Sequence, residues 1–128
     1  MVSEVIQIPD SRELGEGGLL GMVIDPDFQT NNYFYVGYNY YASGNNYREK
    51  IVRYTFNPST GKADSPFILI ENIDAASTHN GCRMVISPDK KLIFTTGDAQ
   101  VTSNSQDVDN INGKTLRINL DGTIPDDN

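Results

Sequence analysis

Residues 20–27 read Leu20-Gly21-Met22-Val23-Ile24-Asp25-Pro26-Asp27, and residues 82–89 read Cys82-Arg83-Met84-Val85-Ile86-Ser87-Pro88-Asp89. Each is an apolar run closed by a Pro-Asp turn. A second strand-like run follows each, Tyr33-Phe34-Tyr35-Val36 in one and Leu92-Ile93-Phe94-Thr95 in the other. A third pair completes the pattern: Val52-Arg53-Tyr54-Thr55-Phe56-Asn57 against Leu116-Arg117-Ile118-Asn119-Leu120-Asp121, both leading into a turn that contains glycine. Met22 and Met84 are 62 residues apart, Arg53 and Arg117 64. Three elements recurring in one order at similar offsets mark two copies of a strand, Pro-Asp turn, strand, long loop, strand unit. Successive blades of a β-propeller have this form, here at about 15–75 and 76–128.

The rest of the chain agrees. Runs rich in Val, Ile, Tyr, Phe and Thr between Gly and Pro predict strands at Leu19–Asp25, Tyr33–Tyr40, Lys50–Phe56, Phe67–Ile70, Met84–Ser87, Leu92–Thr96 and Thr115–Asn119. In the second of these, Tyr33, Tyr35 and Gly37 face one way and Phe34, Val36 and Tyr38 the other, so both faces need cover. No dozen residues carry apolar spacing at i, i+3, i+4, i+7, which limits helix to a turn near Ser103–Asn110. The expected fold is all-β, about two blades of a propeller. Rings of this type close with about 4–8 blades, and two alone leave faces and strand edges open. The whole of 1–128 therefore reads as a partial propeller domain, with a small complete sandwich as the runner-up.

Charge and composition narrow the function. The 128 residues carry 17 acidic and 10 basic side chains, a formal net charge of −7. Binding to nucleic acid needs a cationic surface that displaces counterions from phosphates, so a nucleic-acid partner is excluded. No apolar run approaches the ~18 residues of a membrane span, and the start Met1-Val2-Ser3-Glu4-Val5 lacks a basic and apolar signal region. The single cysteine, Cys82, leaves no internal disulfide and no cysteine-cluster zinc site. Its expected role is a buried structural thiol.

Three segments hold more special residues than strand packing requires. Gly15-Glu16-Gly17-Gly18-Leu19-Leu20-Gly21 permits close backbone approach, to a ligand or merely in a blade connection. It lacks the Gly-Lys-Ser/Thr ending of a phosphate loop. Ser77-Thr78-His79-Asn80-Gly81-Cys82-Arg83 contains the only histidine, and imidazole is the commonest general base; a lone histidine is more often a surface or packing residue. Thr95-Thr96-Gly97-Asp98-Ala99-Gln100 ends the following strand. If the two strands form a hairpin, Asp98 comes to lie beside His79 and can fix its tautomer; the plainer reading of Gly97-Asp98 is a turn. Asp107-Val108-Asp109-Asn110-Ile111-Asn112-Gly113 fails the spacing of a calcium loop and reads as a solvated acidic loop. Tyr38, Tyr40, Tyr41 and Tyr47 could stack on a sugar, though blade packing accounts for the first two.

Taken together, Glu16-Gly17-Gly18-Leu19-Leu20-Gly21, Asp25-Pro26-Asp27-Phe28, His79-Asn80-Gly81-Cys82-Arg83, Thr96-Gly97-Asp98 and Gly113-Lys114-Thr115-Leu116-Arg117-Ile118-Asn119-Leu120-Asp121-Gly122-Thr123-Ile124-Pro125 resemble the glucose/sorbosone dehydrogenase family, from about Gly15 to Asn128. The resemblance implies a six-bladed propeller of which this is an early portion. It further implies an aldose-type sugar dehydrogenase in which His79 takes the proton of a sugar hydroxyl while hydride leaves the same carbon for pyrroloquinoline quinone. Asp98 matches the carboxylate that positions the base. Glu16 falls where the glucose enzymes place a Gln beside quinone and sugar, which makes it the cofactor- and substrate-contacting position. Cys82 stands where Gly or Ser is usual, and Thr78 replaces an acidic residue. Calcium is expected beside the quinone, with most ligands of both in later blades. The chain alone is accordingly expected to be inactive without those blades, and the parent protein to be periplasmic or secreted. Two rivals on the same fold are a non-catalytic extracellular carbohydrate- or protein-binding propeller and a calcium-dependent lactonase-like hydrolase. The second would have only Glu16, Asn80 and Asp98 here as ligands.

Overall fold

A computed structural model describes residues 2–128. Seven strands run in chain order: β1 (Leu19–Ile24), β2 (Tyr33–Tyr41), β3 (Tyr47–Asn57), β4 (Lys62–Asp74), β5 (Gly81–Ile86), β6 (Lys91–Thr96) and β7 (Thr115–Asn119). They form two antiparallel meanders, β1-β2-β3-β4 and β5-β6-β7. A single turn of helix, α1 (Phe28–Asn31), and 3₁₀ turns at Ser43–Asn45 and Thr102–Gln106 complete the secondary structure.

The repeated Pro-Asp turns explain why β1 and β5 stop where they do. In the first copy the Asp25 carboxylate accepts from the Asp27 N–H at 2.9 Å, the Asn31 amide at 2.9 Å and the Tyr35 hydroxyl at 2.6 Å. This is a side-chain turn of the Asx type, locked by a buried tyrosine on the next strand. In the second copy Ser87 takes the same place, its Oγ accepting from the Lys91 N–H at 3.1 Å.

The principal core lies between the two sheets. Tyr35, Ile51, Leu69 and Ile73 from the first meet Cys82, Met84, Leu92, Phe94 and Ile118 from the second, and all are buried. At roughly 1.5–3 kcal/mol for each large side chain taken out of water, this interface is the main source of stability. The sheets meet where β1 runs beside β5, and the Cys82 side chain reaches on to β2: a Cβ on Gly37 would fall on Cys82 Sγ. The cysteine fills the notch the glycine leaves, and its thiol is 1% exposed. The opposite face of the first sheet buries Phe34, Val36, Tyr38, Tyr40, Val52 and Tyr54, in part under Ile6 and Ile8 of the leading segment. Both faces of β2 are therefore covered, as its two-sided apolar pattern requires. Lys50 also points into this layer, paired to Asp10 at 2.5 Å with its ammonium 4.2 Å from the Tyr40 ring centre.

One residue breaks the rule that buried groups are partnered. Glu49 of β3 faces the inter-sheet core, is 0% exposed, and neither carboxyl oxygen has a hydrogen-bond partner. Burial pushes its carboxyl up to about 8, and the adjacent Cys82 thiol offsets only part of that rise. The same burial, together with the neighbouring carboxyl, pushes the Cys82 thiol up, which makes it an inert packing group.

Three strand readings need correction, one being that β5 begins at Gly81, before the expected Met84, because its ladder to β6 reaches Gly81↔Thr96. The strand expected at Phe67–Ile70 runs from Lys62 to Asp74, through Pro66. As the outer strand of its sheet, β4 tolerates a missing N–H. It absorbs Pro66 and Asn72 by bulges, with Ser65 (φ 55°) and Asn72 (φ 63°) left-handed where the β3–β4 register shifts. Strand β3 begins at Tyr47, before the expected Lys50, because its ladder to β2 extends to Tyr41↔Tyr47. The turn of helix at Phe28–Asn31 was not expected, and the one near Ser103–Asn110 is the 3₁₀ turn Thr102–Gln106. Tyr38, Tyr40 and Tyr47 are buried, which leaves only Tyr41 of the four candidate stacking tyrosines exposed.

Candidate active site

His79 lies two residues before β5 and Asp98 two residues after β6. The antiparallel register pairs Gly81 with Thr96, so the two flanking loops leave adjacent strand ends side by side. They are bound to each other by the backbone: the Gly97 N–H donates to the Asn80 carbonyl at 2.7 Å and the Ala99 N–H to the His79 carbonyl at 3.2 Å. A Cβ on Gly97 would run into that His79 carbonyl, so only glycine allows the loops to approach this closely.

Within this frame His79 Nδ1 and Asp98 Oδ1 are 2.9 Å apart. The imidazole beside Asp98 is the first cause holding that carboxyl below its ordinary range, with the Gln100 N–H (3.0 Å to Oδ1) adding to it. An ionised carboxylate can only accept, so the proton of the neutral ring sits on Nδ1 and Nε2 keeps its lone pair. The side chain of His79 is 57% exposed and that of Asp98 17%. The nitrogen free to act as a base is open to a ligand, and its carboxylate partner is sheltered.

The His79 loop is held from below. Asn80 is buried and mimics a backbone pair with Ala76, accepting its N–H at 3.0 Å and donating to its carbonyl at 2.9 Å. Its neighbours take unusual conformations: His79 (φ 61°) and Cys82 (φ 69°) are left-handed, sparsely populated for residues with a Cβ and maintained only where the surroundings fix them. Asn112, also buried, donates to the carbonyls of Gly97 (3.0 Å) and Asp74 (2.8 Å). It ties the Asp98 loop to the end of β4.

Glu16 reaches the same corner by a different route. Its backbone N–H donates to the Ser77 carbonyl at 2.7 Å, and its side chain is exposed. The glycines around it are packing devices. Gly15 (φ 60°) lies against the Ser77 carbonyl, and a Cβ on Gly17 would collide with the Tyr47 hydroxyl. The Gly-rich segment thus seats the loop on the blade and leaves Glu16 as its projecting group. No cluster of three or more His, Cys, Asp or Glu able to hold a metal ion occurs among the described residues.

Sequence reasoning brought His79, Asp98 and Glu16 to one corner, considered Asn80 only as a ligand in the lactonase-like alternative, and gave no role to Gln100 and Asn112. Asn80 and Asn112 act through loop carbonyls, and such tertiary contacts leave no spacing signal.

Two face-packed antiparallel meanders, with an imidazole–carboxylate pair where two strands of one sheet end, define part of a propeller-type fold. The glucose/sorbosone dehydrogenase family profile matches residues 1–128, and the chain belongs to that family. It is 33% identical to quinoprotein glucose dehydrogenase B of Acinetobacter calcoaceticus over 99% of this chain and 32% of that protein. Against the aldose sugar dehydrogenase YliI of Escherichia coli (strain K12) it is 27% identical over 94% of this chain and 33% of the other. Among solved structures, the PQQ-bound aldose sugar dehydrogenase of Streptomyces coelicolor superposes with a TM-score of 0.82 at 30% identity, covering 91% of this chain and 34% of that one. The soluble aldose sugar dehydrogenase of Escherichia coli in its apo form shares the fold at a TM-score of 0.89 and 24% identity, over 99% and 37% of the two chains. The chain thus spans about a third of the length of these relatives and carries only part of their propeller. No helix among the described residues is long and apolar enough to cross a membrane.

Proposed function

We propose that the protein carrying this chain is a quinoprotein sugar dehydrogenase, that residues 15–75 and 76–128 are two of its blades, and that the chain supplies the proton-accepting side of the active site. The observation that carries this is the 2.9 Å contact between His79 Nδ1 and Asp98 Oδ1 with Nε2 left open. Support comes from the names of the relatives, among them a quinoprotein glucose dehydrogenase and a PQQ-bound aldose sugar dehydrogenase. An extracytoplasmic location belongs to the same reading.

The residues present fit one side of pyrroloquinoline quinone and its substrate. An exposed imidazole with a free nitrogen suits a sugar hydroxyl, and the projecting Glu16 can accept hydrogen bonds from neighbouring hydroxyls. Neither brings a positive charge to the quinone's carboxylates, so the cationic part of the pocket falls to other blades. The calcium expected from the family resemblance has no ligand cluster among the described residues, and no step is assigned to it. When bound, the quinone supplies the hydride acceptor. His79 Nε2 then removes the proton of the hydroxyl on the carbon that loses hydride, since C–H cleavage becomes easier as negative charge grows on that oxygen. Asp98 holds the ring by its Nδ1–H and stabilises the imidazolium that results, the service a buried carboxylate gives a catalytic histidine. Glu16 orients the sugar from the facing loop, so that the reacting hydroxyl meets Nε2 at hydrogen-bond distance.

The test is reconstitution of the full-length protein with quinone and calcium, followed by reduction of an artificial electron acceptor with a panel of aldoses. Turnover that is lost in His79→Gln, with the fold and quinone binding retained, is the expected result. Sugar binding without turnover, or lactone cleavage without quinone, refutes it in favour of a binding propeller or a hydrolase.

A further inference from the structure

We propose that Gln100 is a positioning residue for the His79 base, an inference that rests on the role given to His79 above. Its side-chain amide donates both of its N–H bonds, to Ser77 Oγ at 3.0 Å and Thr78 Oγ1 at 2.8 Å. These are the two residues directly before the base. Its backbone N–H donates to Asp98 Oδ1 at 3.0 Å, the oxygen that holds His79 Nδ1. One residue therefore grips the base's loop and the base's carboxylate at once.

The backbone shows that this grip is imposed. Ala99 (φ 53°) and Gln100 (φ 65°) are both left-handed, as is His79 across from them (φ 61°). Residues with a Cβ avoid that region, and a cluster of them persists only where the surrounding contacts select it. Here the exposed imidazole has little packing to fix it, so hydrogen bonds must. The Ser77 carbonyl meanwhile receives the Glu16 N–H. Gln100 is thus the last link of a continuous set running from Glu16 through Ser77 and Thr78 to Asp98 and His79. It touches neither sugar nor quinone in this reading and acts by keeping the imidazole in the tautomer and orientation that present Nε2. A displacement of about 1 Å in such a group can cost up to ~100-fold in rate.

The experiment uses the full-length protein labelled with ¹⁵N-histidine, the His79 signals being those missing from His79→Gln. Imidazole ¹⁵N shifts of the quinone-free protein report the tautomer, and steady-state kinetics of the reconstituted protein report kcat and KM. Gln100→Met keeps the length and removes both donors. It is expected to turn the Nδ1–H signature into a tautomer mixture and to lower kcat about tenfold, with KM changed less than about twofold and Tm nearly unchanged. Gln100→Glu, which accepts from both hydroxyls, should restore the signature. In a Ser77→Ala/Thr78→Val background Gln100→Met should add less than about a twofold effect, because the partners are already gone. If Gln100→Met does not fold, Ser77→Ala/Thr78→Val against wild type removes the same two bonds and carries the comparison. A wild-type imidazole spectrum and kcat in Gln100→Met, or effects that simply multiply across the cycle, overturn the proposal. Failure of the underlying pair looks different: Asp98→Asn would then leave the tautomer signature intact.

Discussion

Raising the pH should loosen the seam between the two sheets, and Glu49 is the reason. Its carboxyl is 0% exposed, lacks hydrogen-bond partners and is pushed up to about 8 from an ordinary 4.5. The cause is loss of solvation of the charged form, which burial penalises. The folded protein therefore keeps a proton between these two values that the unfolded chain releases. With the unfolded state binding fewer protons, stability falls as pH rises, by about 1.4 kcal/mol per unit while the difference lasts. Glu49 thus stabilises the fold fully only below pH 4.5, and its contribution is lost by the time pH passes 8. From pH 5 to 9 the loss integrates to roughly 4 kcal/mol. Glu49→Gln removes the titrating proton at nearly constant volume. Urea unfolding of both proteins, followed by far-UV circular dichroism at half-unit intervals over that range, isolates the term. With an m-value of about 2 kcal/mol/M, the wild-type midpoint should fall about 2 M further than that of the variant. Parallel curves would refute the reasoning and show that the carboxyl is solvated or paired in solution.

Other expectations follow from close contacts and from the pair. Gly37→Ala should destabilise by about 2–3 kcal/mol because its Cβ meets Cys82 Sγ; Cys82→Gly should recover much of this in the double variant, as chemical denaturation can measure. Asn112→Ala breaks two hydrogen bonds that join the Asp98 loop to β4, at a cost of about 2 kcal/mol visible as a lower Tm. Asp98→Asn should leave Tm within a few degrees while lowering sugar turnover by about 10²–10⁴, the range expected when a catalytic imidazole loses its carboxylate and with it the correct tautomer.

The fold was legible because its evidence is periodic. The Met22 and Met84 units and the two-sided apolar pattern of Tyr33–Tyr40 are both set by the two-residue repeat of a strand. That repeat dictates sheets covered on both faces. Strand ends were less legible where a residue acts against its ordinary habit. Pro66 and Asn72 read as breakers, but β4 is an outer strand whose bulges absorb them. The His79–Asp98 pair could be placed because the hairpin between them is short enough to fix its own geometry. Glu49 could not be anticipated. Its alternation on β3 points it to the core, yet a glutamate there normally argues for the solvent face, and only the packing of Cys82 against Gly37 reveals the pocket it fills. Gln100 was hidden for another reason: its partners lie 22 and 23 residues away, joined by loops whose left-handed turns carry no glycine to mark them.

In the proposed reaction His79, oriented by Asp98, removes the proton of a sugar hydroxyl as hydride departs from the same carbon. The most direct measurement is the rate of the reductive half-reaction in the reconstituted full-length protein, with aldose carrying hydrogen or deuterium at the reacting carbon, for wild type and His79→Gln at equal quinone occupancy. A large primary isotope effect is expected in wild type, and a fall of at least about 10³-fold in His79→Gln. An unchanged half-reaction rate in that variant, with quinone bound and the isotope effect intact, would contradict this role for His79.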